Sequence, residues 1–84
     1  MRIIYSSNFL RAYQKLPLPT KVKTEEAEKI FRKNPFDHKL RTHKLKGKLI
    51  DRWAFSIGWH YRIIFRFTNN ETVWFLAIGG HEIY

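Results

Sequence analysis

The sequence predicts an α+β fold, β-α-α-β-β-β, with two N-terminal helices packed on one face of a mainly antiparallel sheet. Three observations predict it. Apolar residues recur at helical spacing only in the N-terminal half, and the C-terminal half alternates with a period of two. Its strand-like runs are consecutive and joined by short turns, which favours hairpin neighbours. Residues 2 to 5, RIIY, form a short β-branched strand, and Ser6 and Ser7 then offer hydroxyls to cap a helix. Phe9, Leu10, Tyr13 and Leu16 give that helix one apolar stripe before Pro17 stops it. Pro19 suits the first turn of a second helix, whose looser stripe is Leu18, Val22, Ala27, Ile30 and Phe31. Glu25, Glu26 and Glu28 precede Lys29, Arg32 and Lys33, the order a helix dipole favours, and Asn34-Pro35 ends the helix.

From Phe36 to Lys48 no period holds, so this segment is expected to be a basic loop anchored by Leu40 and Leu45, and it is the first candidate for function. Strands are expected at Leu49 to Ile57, Tyr61 to Thr68 and Thr72 to Ile78, with Asn69-Asn70 as a hairpin turn. In the middle strand Tyr61, Ile63, Phe65 and Phe67 alternate with Arg62, Ile64, Arg66 and Thr68. Arg62 and Arg66 therefore share the face away from the aromatic side chains. Trp53 and Trp74 are expected in the core, His38 and His60 on the surface, and Trp59, near a turn, suits either core or base stacking.

The 84 residues imply one domain spanning 1–84. Cysteine is absent, which excludes disulfides, thiolate zinc sites and a cysteine nucleophile and makes a cytoplasmic setting the natural expectation. No segment approaches a membrane-spanning length and the N-terminus lacks an unbroken apolar stretch, so neither a membrane partner nor a signal peptide is expected. The net charge of +9 is unevenly spread. Between residues 38 and 66, Lys39, Arg41, Lys44, Lys46, Lys48, Arg52, Arg62 and Arg66 face the single acid Asp51, so this stretch carries +7. Such a footprint favours a polyanion, either nucleic acid or an acidic protein. The spacing of His38 and His43 matches no zinc signature, no phosphate-cradling glycine loop or nucleophilic serine motif is present, and neither metal nor cofactor is expected.

The order of elements, the HKLKG segment, the W-x-F-S-I run, the YRIIF strand and the terminal GGHEIY together resemble the RelE/ParE toxin superfamily. The sequence looks closest to the YafQ-like and RelE/StbE-like mRNA interferases. The resemblance spans nearly the whole chain and implies the toxin of a type II toxin-antitoxin system, an endoribonuclease that cleaves mRNA on the ribosome and is neutralised by a cognate antitoxin protein. By position it gives Arg62 the role of phosphate contact, and it matches His43, His81 and Tyr84 to the titratable and aromatic residues of nuclease members. Where several nucleases carry a further basic or titratable residue after the loop, this chain has Ser56 and, near the turn, His60. The ParE branch, which inhibits DNA gyrase without cutting RNA, is the alternative.

Metal-free RNA cleavage needs a base for the 2′-hydroxyl, an acid for the leaving 5′-oxygen and cations for the charge that builds on the phosphate. His43 and His81 are the candidate acid/base pair, with roles open, since imidazole exchanges protons near neutrality. Arg62 is the candidate phosphate contact, its fork matching two nonbridging oxygens. The bland alternative for Arg62 is a cross-strand ion pair with Asp51 or Glu71. Lys44, Lys46, Lys48 and Arg66 are candidate RNA-backbone contacts, and Tyr84 is a candidate for stacking or for donating its hydroxyl. The apolar stripe of the first helix and exposed parts of the second are the expected landing site for an antitoxin helix.

Overall fold

The computed structural model describes residues 1–47 and 51–84. Strand β1 (Arg2–Tyr5) leads into helices α1 (Ser7–Gln14) and α2 (Leu18–Lys33), followed by β2 (His43–Lys44), β3 (Trp53–Ile57), β4 (Tyr61–Phe67) and β5 (Thr72–Gly79). The sheet order is β1-β5-β4-β3-β2, with β1 parallel to β5 and every other pairing antiparallel. The expected α+β architecture holds, with one strand more than the sequence reading supplied.

That strand lies in the segment read as an aperiodic loop. Asp37 caps a 3-10 turn (His38–Leu40) through Lys39 N–H, Leu40 drops into the core, and Arg41 ends the turn in the left-handed region at φ 52°. The chain then pairs His43 with Ala54 and Lys44 with Trp53 along the sheet edge. Two residues carry no readable periodicity, and the pairing is supplied by β3 rather than by local preference. The third strand starts at Trp53 rather than Leu49; Leu49 and Ile50 lie outside the described residues.

Both helices start as the sequence suggests. Ser6 Oγ accepts from Phe9 N–H at 3.0 Å, and Pro17 and Pro19 bracket the first residue of α2. The same Ser6 hydroxyl donates to Leu76 O at 3.0 Å, and Asn8 Nδ2 donates to that carbonyl at 3.1 Å. Leu76 is a bulge residue: Phe65 faces Phe75 and Ile64 faces Ala77, leaving Leu76 unpaired. A freed carbonyl needs donors, and the α1 cap provides them. The bulge also shifts the alternation, so Val73, Phe75 and Ile78 all point toward the helices while Trp74, Ala77 and Gly79 point away.

The core lies between the helices and the sheet, built on Phe9, Ala27, Phe31, Leu40, Phe55, Ile63, Phe65 and Phe75. Trp53 packs against it, as expected. Trp74 does not: it is 39% exposed on the face away from the helices, where the register with Arg66 puts it. Leu10, Leu18 and Val22 are also exposed, so only part of each helical stripe is buried.

Tyr5 ties β1 to α2 by donating to Glu28 Oε2 at 2.8 Å. Burial first, then the hydrogen bond and charge of Glu28, push the Tyr5 hydroxyl above its ordinary value of 10.0. Because the folded pKa is the higher one, this contribution is intact below pH 10.0 and is lost as pH rises through the raised value. Tyr5→Phe is expected to cost about 1 kcal/mol at neutral pH. It should also flatten the alkaline fall in thermal stability, which a melting series across the phenol range measures.

Candidate functional site

One face of the sheet carries the helices and the other does not, and cross-strand register assigns side chains to the helix-free face. His43, Ala54, Ile64 and Ala77 form one row across four strands. Ser56, Arg62 and Gly79 form the next, and Arg66, Trp74 and Ile4 lie on the other side. Ala54 and Ile64 are buried, giving the face a closed floor between these longer side chains.

Arg62 stands on this floor. Its guanidinium lies 5.8 Å from the Tyr84 ring centroid, within cation-π range. Its Nη1 is buried and has no hydrogen-bond partner among the described residues. Among the described residues Arg62 forms no ion pair with Asp51 or Glu71: Asp51 pairs instead with Arg52 and, at 3.9 Å, with Arg66, and Glu71 makes no ion pair. A buried guanidinium N–H without an acceptor is costly, and an anion entering from the open face would supply one.

Tyr84 is held over Arg62 by the chain end. After Gly79 and Gly80 a 3-10 turn (His81–Ile83) folds back, with Tyr84 N–H donating to His81 O at 3.3 Å. Glu82 Oε1 accepts from Gly80 N–H at 2.9 Å, and the N–H groups of Glu82 and Gly80 hold its carboxyl below the usual range. Ile83 lies on Gly79, where a Cβ would be 2.5 Å from its Cγ2. Gly79 thus provides room for the turn. Gly79→Ala is expected to unseat Tyr84 from Arg62 and leave the sheet folded. An unchanged far-UV spectrum with an altered near-UV signal from the displaced Tyr84 ring is the anticipated pair of readings.

His43 sits at the β2 edge of the same face, and its Nδ1 lies 3.1 Å from Arg41 O. A carbonyl only accepts, so this contact needs the proton on Nδ1, and in the neutral ring that tautomer leaves the lone pair on Nε2. From His43 to Arg62 is two strand spacings across and two residues along, a Cα separation on the order of 12 Å that long side chains on one face can span. His81 is exposed on the turn that carries Tyr84, and its ring makes no hydrogen bond among the described residues.

The lysines divide. Strand alternation puts Lys44 on the helix side of the sheet edge, paired with Trp53 and opposite in direction to His43. Lys46 is exposed beyond β2, and Lys48 lies outside the described residues. Arg66 shares the open face but stands four residues from Arg62, about 13 Å along the strand. Among the described residues no cluster of three or more His, Cys, Asp or Glu side chains could hold a metal ion. No helix there is long and apolar enough to cross a membrane.

Sequence reasoning left Trp59 undecided. It is 79% exposed in the β3–β4 turn, with the Arg41 guanidinium 5.3 Å from its ring centroid. The nearby Gly58, at φ 60°, was the available signal of a tight turn that projects its next side chain.

Two helices on one face of this five-stranded sheet constitute the fold seen in RelE/ParE toxins. The YoeB/ParE toxin from Agrobacterium tumefaciens superposes with a TM-score of 0.81 at 16% identity, over 96% of this chain and 99% of that one. YafQ from E. coli strain BL21(DE3) does so with a TM-score of 0.81 at 16% identity, over 99% and 97%. A chain of the archaeal RelE–RelB complex from Pyrococcus horikoshii OT3 gives 0.76 at 22% identity, over 94% and 92%. No family model matches the chain, and no curated protein does.

Proposed function

We propose that this chain is the toxin of a type II toxin-antitoxin pair and acts as a metal-independent endoribonuclease on mRNA, with the ribosome as its setting. The observation that carries the reading is the buried, unpartnered Nη1 of Arg62 on the helix-free face shared with His43, with the Tyr84 ring beside its guanidinium. That donor is suited to a nonbridging phosphate oxygen. His43 Nε2 takes the proton of the 2′-hydroxyl, and the freed oxygen attacks phosphorus. The 5′-oxygen leaves with a proton from His81 or Tyr84, giving a 2′,3′-cyclic phosphate and a 5′-hydroxyl. Lys46, Lys48 and Arg66 hold flanking backbone, less one charge at Arg66 where Asp51 approaches, and Lys44, on the helix side of the sheet edge, is left out of that set.

The fold shared with a chain from a RelE–RelB complex supports an antitoxin partner. A groove of about 230 Å³ between the helices, with Tyr5, Phe9, Leu10 and Tyr13 on one side and Thr24, Glu25 and Glu28 on the other, offers a seat for its helix. Mapping RNA ends after brief expression tests the proposal: discrete cuts with 5′-hydroxyl ends are expected. Growth arrest with intact transcripts and inhibited supercoiling by gyrase would instead select the ParE-like reading.

A further inference from the structure

Trp59 has the largest fractional exposure among the described large apolar side chains, at 79% even with Arg41 over its ring. Leaving an indole in water forgoes one of the larger burial gains available to any residue. The position is nevertheless built. Gly58 turns the chain at φ 60°, and the left-handed backbone of Arg41 aims its side chain at the indole while its carbonyl receives His43 Nδ1. On the other flank His60 O lies against Gly80, where a Cβ would be 3.4 Å away, so the turn abuts the segment that carries His81 and Tyr84. The turn that carries the indole thus touches the segment bearing His81 and Tyr84, and the indole receives the Arg41 guanidinium from the segment bearing His43.

We propose that Trp59, backed by Arg41, is a nucleobase-stacking subsite that seats an unpaired base of single-stranded RNA next to the scissile phosphate. The inference rests on the RNA-directed reading above and names where the strand lies. Charge selects this occupant: the Arg41 guanidinium lies over the indole and the exposed Lys39 lines the same groove as Gly58, which suits a strand that presents phosphates and π-faces together. Stacking on one aromatic face tolerates any base, so the subsite positions the strand and does not read its sequence.

The test measures binding separately from cleavage, using a short 2′-O-methyl oligoribonucleotide, which lacks the attacking hydroxyl, and an abasic strand of equal length. Trp59→Ala is expected to weaken binding of the base-bearing strand about tenfold, with Trp59→Phe intermediate. Salt dependence should be unchanged, since stacking releases no counterions. On the abasic strand the two proteins should bind equally. Equal affinity of both proteins for the base-bearing strand overturns the subsite, as does an undiminished penalty on the abasic strand or no RNA binding by the unaltered chain. Cleavage of unmodified RNA without a Trp59 binding penalty removes the subsite and leaves the nuclease standing; a penalty without cleavage does the reverse. Equal melting temperatures for the variants separate these results from misfolding.

Discussion

Arg62→Ala is expected to lower the rate of the proposed RNA cleavage by at least about 10²- to 10³-fold, the size of effect seen when a preorganised donor to a developing oxyanion is lost. The fold should survive, because the Arg62 side chain is on the helix-free face and outside the aromatic core. Arg62→Met sharpens the point. It keeps the aliphatic volume beside Tyr84 and removes a buried N–H that has no acceptor among the described residues. Thermal stability should stay level or rise while activity falls, the trade that marks a polar group retained for function. Arg62→Lys keeps the charge without the fork, so partial activity is expected. Equal losses of stability and activity in the methionine variant would mean that Arg62 serves the fold alone.

The elements with clear periodicity were legible in the sequence. Ser6 capping α1, Asn34-Pro35 closing α2 and the alternation of β4 all read directly, because each is a local preference acting within one element. The placement of Arg62 and Arg66 opposite the aromatic residues followed from that alternation. What stayed hidden was non-local. The bulge at Leu76 depends on β4 register and on donors from Ser6 and Asn8, and it carries Trp74 to the open face although the residue itself suits a core. Likewise His43 and Lys44, adjacent in a basic segment, diverge because β3 recruits them as an edge strand. The left-handed backbone at Arg41 carries no glycine or asparagine signature, so neither the His43 tautomer nor the contact with Trp59 was foreseeable.

The same division of faces sets where stability resides. Phe31 on α2 is fully buried, with ring centroids 4.9 Å from Phe55, 5.0 Å from Phe65 and 5.4 Å from Phe75. These partners belong to β3, β4 and β5, so one side chain joins a helix to the three central strands. Phe31→Ala is expected to cost about 3–5 kcal/mol, the lost transfer energy plus the cavity left behind. A domain of this size holds only about 5–15 kcal/mol in total, so a fall in melting temperature of about 15–30 °C or outright unfolding follows. Phe36 provides the contrast: it also meets aromatic rings, Trp53 at 5.4 Å and Phe67 at 6.0 Å, yet is 54% exposed. Water already reaches that ring, so Phe36→Ala opens no closed cavity and should cost a fraction as much. Denaturant midpoints of the two variants check the pair, and comparable losses would contradict a core centred on Phe31.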